Sequence, residues 1–290
     1  DSCGGCESCR LVAANTHPDY HWIYKELVTS IKGKERHKAT DLGIDVIRRE
    51  LIDRVGLKPG LGRAKVFVVA EAHKMSRSAQ NALLKTLEEP PPATFIILLA
   101  EGLSMLVPTI RSRAHVVRFR LLPDAFVRAR LGAAGADEAR TDFLARFVPG
   151  QLGLALELLR QDVYDLNERL RRELASLDEA TAADAVKWVQ DEAKALAERI
   201  QGQGEDEPGP EVAEWEGLRV ALRRIFALMS AFYDDNLRRA VGRPADAAAE
   251  AARRLQRKIT SIREAQKYLD ANVNQSTLLT DLFFRLAAKE

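Results

Sequence analysis

The chain has 290 residues, of which 46% are hydrophobic, and its 44 basic and 42 acidic side chains leave a formal net charge of +2. This length suggests two or three globular domains with buried cores. A nearly neutral charge gives no argument for nucleic-acid binding, and no apolar run approaches the roughly twenty residues of a membrane span. The few, closely spaced cysteines do not resemble a disulfide framework, so we expect a cytoplasmic protein that does not enter a membrane.

All three cysteines lie near the N-terminus, at Cys3, Cys6 and Cys9. Their C-x2-C-x2-C spacing can present several thiolates to one ion, whereas tetrahedral structural zinc normally takes four nitrogen or sulfur ligands. His17 and His21 are the nearest other candidates in the chain. The spacing is compatible with structural zinc or with three free thiols. An iron–sulfur cluster is less favoured, because nothing else indicates redox chemistry.

The next segment contains a loop and a helix. Ile31–Lys38 is polar and basic, and we interpret it as a solvated turn rather than a phosphate-contacting loop. The pattern predicts a helix over Asp41–Val55, with Asp41 as its N-cap or a first-turn acid, before a break at 58–60. The predicted buried face consists of Ile44, Ile47, Leu51 and Val55.

Two strands and a helix follow. Val66–Val69 is a short apolar run typical of a buried strand in a parallel sheet. Ser76 is the predicted N-cap of a helix that runs to Leu87 and stops at EEPPP, and Phe95–Leu99 is the second strand. This order predicts a βαβ unit. Glu71 would lie at the carboxyl ends of the strands, where open α/β sheets place their sites.

Three motifs within residues 65–113 carry a resemblance to a known family. They are VFVVAEAHKMS, AQNALLKTLEEPP and PTIRSR, and together they resemble the ATPase module of bacterial clamp-loader subunits in the AAA+ superfamily. The resemblance implies an α/β fold followed by an all-α part. A parallel-sheet AAA+ domain, N-terminally incomplete and with a zinc module at 1–20, would cover residues 1–122. A small helical lid would cover 123–161, and a helical collar for oligomerisation would cover 162–290.

The C-terminal half is expected to be almost entirely helical, with breaks at Pro149–Gly153 and Gln201–Pro210. The predicted core of the lid consists of Phe126, Val127, Leu131, Phe143, Leu144 and Phe147. Collar helices are predicted over Val163–Ala175, Ala183–Ile200, Glu211–Arg239, Ala245–Leu269 and Gln275–Leu286. The last of these has an apolar face made of Leu278, Leu279, Leu282, Phe283 and Leu286.

ATP hydrolysis in this family needs a G-x-x-x-x-G-K-[ST] phosphate loop and an acid that coordinates magnesium. The loop does not occur in this sequence, and the family places it before the cysteines, which would be upstream of Asp1. Ala70 stands where the family has the aspartate, while Glu71 remains as the other acid. No polar sensor residue occurs at Leu98–Ala100, and Leu154 lies near the place of a sensor arginine. The resemblance therefore implies a subunit that does not hydrolyse ATP itself.

The PTIRSR motif resembles the family's Ser-Arg-Cys motif, with Ser112 and Arg113 kept and Ala114 replacing the cysteine. In the family this arginine acts in trans as a finger on ATP bound by a neighbouring subunit, where its guanidinium stabilises phosphate charge. The resemblance also implies zinc held by the three cysteines and a fourth ligand upstream of residue 1. The HPD sequence at His17–Asp19 is typical of the delta-prime type of subunit.

The function implied by the resemblance is that of a delta-prime-like component of the DNA polymerase III holoenzyme. Such a subunit would assemble with gamma/tau-type and delta-type subunits in a pentamer and help to load the sliding clamp onto primed DNA during replication. One alternative is a catalytically active gamma/tau-type ATPase, which Ala70 disfavours. Another is a zinc-dependent nucleic-acid-binding protein unrelated to ATPases, which leaves the motifs of residues 65–113 unexplained.

Overall fold

The computed structural model describes residues 3–25, 27–28, 41–202, 214–241, 245–271 and 273–288. The predicted loop Ile31–Lys38 and most of the predicted linker Gln201–Pro210 lie outside these ranges. The chain forms two compact units, residues 1–119 and residues 120–290. Of the helices in the described ranges, none combines the length and the apolar character that crossing a lipid bilayer requires.

The first unit is built on a parallel three-stranded sheet; the sequence predicts two of its strands and misses the first, Tyr20–Ile23. Its strands are β1 (Tyr20–Ile23), β2 (Lys65–Val69) and β3 (Thr94–Leu98), with β2 in the centre. The register aligns Ile23, Val69 and Leu98, so that the carboxyl ends of all three strands meet at one edge. Residues that follow these strands are therefore brought together.

Four helical segments in the described part of the first unit are used below. They are α1 (Glu7–Ala13), α2 (Ile44–Ile47, the π-helical turn Arg48–Ile52, and Asp53–Val55), α3 (Arg77–Glu88) and α4 (Pro108–Arg111). The predicted N-cap of α3 is confirmed, because the Ser76 hydroxyl accepts the Ala79 N–H at 3.2 Å. The predicted N-terminus of α2 is wrong: the helix begins after Gly43, and the neighbouring Leu42 forms a parallel bridge with Met75 instead.

The two predicted strands differ in how they are buried. In β2, Phe67, Val68 and Val69 are buried, as predicted. In β3 the side chains alternate: Ile96 and Leu98 pack against the core formed with α2 and α3, whereas Phe95 and Ile97 are exposed. A continuous apolar sequence therefore contributes only one of its two faces to the core of this unit.

Two buried charges connect the sheet to its surroundings. The Asp19 carboxylate, directly before β1, accepts the successive backbone N–H groups of residues 60–62 at 2.6, 2.8 and 2.6 Å. Burial opposes ionisation of Asp19, but these N–H groups outweigh it and lower its pKa. The Lys65 ammonium at the start of β2 donates to three carbonyls at the C-terminal end of α2, those of Arg54, Val55 and Leu57. Both ends of the 54–62 segment are thereby fixed to neighbouring strands.

In its described residues the second unit consists of helices and their connections, and the predicted helices are confirmed to within a few residues. They are α5 (Asp124–Ala133), α6 (Glu138–Phe147), α7 (Leu152–Arg160), α8 (Val163–Ala175), α9 (Ala182–Gly202), α10 (Glu214–Val241), α11 (Ala245–Asp270) and α12 (Gln275–Ala287). One contiguous apolar core runs from Val127 to Leu286 and includes the whole predicted face of α12. The separation of this unit into a lid and a collar stays a prediction.

The predicted core of α5 and α6 needs one correction. Val127, Leu131 and Leu144 are buried, whereas Phe126 is 44% exposed, with the Arg130 guanidinium 5.3 Å from its ring centre. Val127 and Leu131 are four residues apart and share the inner face of α5. Phe126 lies about 100° away on the helix surface and points outward because the helix can present only one face to the core.

A polar network binds the end of α7 to two longer helices. Gln161 is completely buried, and its side-chain oxygen accepts a hydrogen bond from Arg224 of α10. Its backbone carbonyl accepts the Arg199 guanidinium of α9 at 2.7 Å, and Arg224 also pairs with Glu157 at 2.7 Å. These contacts fix the short connection between α7 and α8 inside the helical unit.

We predict that Gly150→Ala destabilises the second unit. Gly150 has a φ of +71°, and an added Cβ would lie 2.5 Å from Leu121 Cβ and 2.9 Å from Leu122 N. The left-handed conformation alone costs a non-glycine residue about 1–3 kcal/mol. Gly153→Ala is the matched control, because Gly153 lies in α7 with nothing within 4 Å and should gain about 0.5–1 kcal/mol. Urea unfolding followed by helical circular dichroism measures both; equal effects would contradict the clash.

We predict that Asp19→Asn weakens the first unit at neutral pH. An amide cannot accept three N–H groups as the carboxylate does, and the expected loss is about 1–3 kcal/mol. Because folding lowers the pKa of Asp19, its contribution is present above the usual Asp pKa of about 4 and is lost as the pH falls through the lowered value. Hydrogen exchange at the amides of residues 60–62 should accelerate in the variant at pH 7, while the exposed-site control Asp53→Asn leaves it unchanged.

Candidate functional site

The carboxyl end of the sheet carries the first predicted site. Glu71 follows β2 after Ala70 and adopts a left-handed conformation with φ of +50°, which is uncommon for a residue other than glycine. The adjoining backbone is fixed on both sides: Ala70 N–H donates to the Ile23 carbonyl at 2.8 Å, and Ala72 N–H donates to the Leu99 carbonyl at 2.7 Å. The side chain of Glu71 is therefore held at the edge where the three strands end.

Two lysines surround the Glu71 carboxylate. Lys74 donates to Oε1, and the ammonium of Lys25 lies 3.5 Å from Oε2 with only 8% of its side chain exposed. Burial raises the pKa of Glu71, but the hydrogen bond from Lys74 and the charge of Lys25 outweigh it, so that the pKa lies below its usual value. A carboxylate held in its ionised form by two cations is a poor proton acceptor.

The residues beside Glu71 add little to metal or proton chemistry. Ala70 has no side-chain oxygen with which to bind magnesium, a cation that prefers oxygen ligands. His73 is directed to another residue: its Nδ1 accepts the Glu101 N–H at 3.4 Å and its Nε2 lies 3.9 Å from the Glu101 carboxylate. The predicted sensor positions Leu98 and Leu99 are apolar side chains at the end of β3.

Arg113 forms a second site, with its own set of partners. It follows the short helix α4, and its Nη1 donates to the Thr109 carbonyl at 2.9 Å and to Ser112 Oγ at 3.2 Å. Its Nε and Nη2 lie 2.8 and 2.5 Å from the same oxygen, Oε1 of Glu88, at the end of α3. The guanidinium is 32% exposed, so it lies at the surface in a defined orientation.

The three cysteines come together at the start of α1. The Sγ atoms of Cys3, Cys6 and Cys9 lie within 4.8 Å of one another, and those of Cys3 and Cys9 are 4.0 Å apart. Zinc–sulfur bonds of about 2.3 Å in a tetrahedron require a sulfur separation of roughly 3.8 Å, so the cluster fits three ligands of one zinc ion. Hydrogen bonds from the backbone at Gly5 and Cys6 lower the pKa of Cys3 to about 7, which favours the thiolate that a metal needs.

The two nearby histidines are held away from the thiols. His17 Nε2 is 2.8 Å from Ser8 Oγ, and its Nδ1 accepts the Asp19 N–H at 3.0 Å. His21 stacks on Phe67 at 4.7 Å between ring centres. Neither joins the three-thiol cluster in the described residues, and the HPD sequence is instead a local hydrogen-bonded structure that leads to the Asp19 anchor.

Sequence reasoning did not identify Lys25 and Glu88 as members of these sites. Lys25 could have been found from the sequence if β1 had been recognised. It lies two residues after β1, and in a parallel sheet the residues that follow β1 and β2 lie at the same edge, where Glu71 is. No comparable signal existed for Glu88. Its pairing with Arg113, 25 residues later, depends on how α4 packs against the end of α3.

Comparison with known proteins shows similarity to subunits of DNA polymerase III. A family model described as "DNA polymerase III, delta subunit" matches residues 1–123. The chain is 35% identical over 176 residues to the DNA polymerase III subunit delta' of Escherichia coli, covering 60% of this chain and 49% of that protein. It is 40% identical over 129 residues to the gamma/tau subunit of Mycobacterium tuberculosis, covering 44% of this chain and 20% of that protein.

The fold agrees with the sequence match. A crystal structure of a DNA polymerase III, gamma subunit-related protein from Thermotoga maritima has a TM-score of 0.50 at 19% identity, covering 96% of this chain and 89% of that one. The chain spans about half the length of the E. coli delta' subunit that it matches. Residues 1–123 are similar to the delta-prime type of bacterial DNA polymerase III subunit, and the fold of the chain is similar to that of the gamma subunit-related protein.

Proposed function

We propose that the chain is a non-hydrolysing subunit of a replicative clamp loader that supplies Arg113 to ATP bound by a neighbouring subunit. The observation that carries the proposal is the contrast between the two sites. Glu71 has no acidic neighbour at Ala70 and is neutralised by Lys25 and Lys74, whereas Arg113 presents a partly exposed guanidinium on a surface motif. A guanidinium supplied from the neighbouring subunit stabilises charge on a transferring phosphoryl group.

Several finer points belong to the same proposal. The subunit would work in the cytoplasm in a pentamer with gamma/tau-type and delta-type subunits, and with them load a sliding clamp onto primed DNA. The active gamma/tau-type alternative requires a competent site in this chain, and the two lysines on Glu71 are unfavourable to it. A zinc-dependent nucleic-acid-binding role leaves the family match over residues 1–123 without an explanation.

We predict that Arg113→Ala removes ATP turnover at the site that this subunit serves. An arginine finger contributes roughly 10³–10⁵ in rate, so the total turnover should fall by nearly the full share of that site. The measurement is ATP hydrolysis by the loader reconstituted from this chain and its own gamma/tau-type and delta-type partners, with clamp and primed DNA. Arg118→Ala, at another exposed arginine, is the matched control and should have no effect.

The same assay on the chain alone tests the other half of the proposal. We expect no hydrolysis above the buffer rate. Turnover by the isolated chain would show that Ala70 does not disable the site and would favour the active-ATPase alternative. An unchanged loader carrying Arg113→Ala would remove the finger assignment and leave only a structural role in the assembly.

We predict that the chain binds one zinc ion through its three cysteines in a structural role. Cys6→Ser should weaken zinc binding by more than the roughly 10–100-fold that loss of an outer-shell partner costs. His17→Gln should leave the affinity unchanged, because His17 is bound to Ser8 and Asp19. Competition with a chelator gives the affinity, and the thiolate-to-metal absorption of the cobalt-substituted protein counts the sulfur ligands. A loss of affinity in His17→Gln equal to that in Cys6→Ser would make His17 the fourth ligand.

A further inference from the structure

All three guanidinium nitrogens of Arg113 face oxygen atoms of the same chain. Nε donates to Oε1 of Glu88 at 2.8 Å, and Nη2 lies 2.5 Å from the same oxygen. Nη1 donates to the Thr109 carbonyl and to the Ser112 hydroxyl.

An arginine that binds a phosphate in the usual forked manner uses two parallel N–H groups. Each nitrogen of Arg113 already faces an oxygen of its own chain, so at least one of these contacts must open before a phosphate can be held in this way. The Thr109 carbonyl is part of α4 and stays beside the arginine. The contact to Glu88 is the one that an incoming anion can replace, because a phosphate oxygen supplies the same type of acceptor with more negative charge.

The exposure of the pair makes this replacement easy. The side chains of Arg113 and Glu88 are 32% and 48% exposed. An exposed ion pair of this kind shifts an equilibrium by no more than about fivefold. It is strong enough to keep the guanidinium in one orientation, yet it is weak enough to yield to a nucleotide phosphate.

We infer that Glu88 is a latch for Arg113: it holds the guanidinium against its own subunit until the phosphate of a neighbouring nucleotide displaces the carboxylate. This inference rests on the proposed role of Arg113 as a finger. It adds a regulatory element, since the ion pair competes with the neighbour's phosphate and thereby lowers the fraction of Arg113 that is engaged. Glu88 does not touch the nucleotide and acts only through Arg113.

The latch is first tested on the isolated chain, independently of any ATPase. Phenylglyoxal modifies accessible guanidinium groups, and mass spectrometry measures the rate of modification at each arginine. Glu88→Gln should raise the rate at Arg113 by up to about fivefold, the range of an exposed ion pair, with Arg118 as an internal reference. Glu89→Gln is the matched control, because Glu89 is the adjacent exposed acid. Equal rates at Arg113 in the Glu88→Gln and wild-type chains overturn the latch.

The second test uses the reconstituted loader with clamp and primed DNA. Glu88→Gln should lower the KM for ATP by up to about fivefold and leave kcat unchanged, and the double variant with Arg113→Ala should behave as Arg113→Ala alone. A fall in kcat with Glu88→Gln would instead make Glu88 necessary for positioning and overturn the latch. If Arg113→Ala has no effect on turnover, the finger proposal fails with its regulation, while the modification rates still report whether the ion pair exists.

Discussion

The arrangement of the first unit depends on the hydrogen bonds that the buried Asp19 carboxylate accepts. This carboxylate ties three backbone N–H groups of residues 60–62 to the start of β1, while Lys65, at the start of β2, binds the last carbonyls of α2. Buried charges are costly unless they are fully hydrogen-bonded, and here both are. The two neighbouring strands therefore begin at fixed points. Their parallel register then determines that Glu71 and Lys25 emerge at the same edge.

The elements that could be predicted from the sequence are those set by local patterns. Val66–Val69 is a short β-branched run, and it forms the central strand. The Ser76 cap and the spacing of apolar residues after it were enough to define α3, because capping and one-sided burial both act within a few turns. The family motifs predict Glu71 and Arg113 as site residues from the sequence alone, because each lies within a continuous string of motif residues and needs no long-range contact to be identified. Their roles stay a prediction.

The errors and omissions come from contacts between distant parts of the chain. Asp41 has the chemistry of an N-cap, but the bridge of Leu42 to Met75 delays the start of α2 until after Gly43. Phe126 is apolar enough for a core, yet the phase of α5 directs it to the surface. The partner of Arg113 depends on tertiary packing that no periodicity encodes. Residue propensities and hydrophobic patterns predict the helices and strands. Which side chains pair between these elements depends on tertiary packing.

The two predicted sites of the first unit differ in how their charges are paired. At Glu71 the carboxylate is already paired with two ammonium groups, which compete with any divalent cation for its oxygens. At Arg113 one guanidinium faces one exposed carboxylate, and an anion from outside can exchange with it. The Glu71 carboxylate is paired within the chain, whereas a stronger acceptor can replace Glu88 in its ion pair with Arg113. This contrast between the two sites supports the proposal that the chain acts on a neighbour's nucleotide and does not turn over its own.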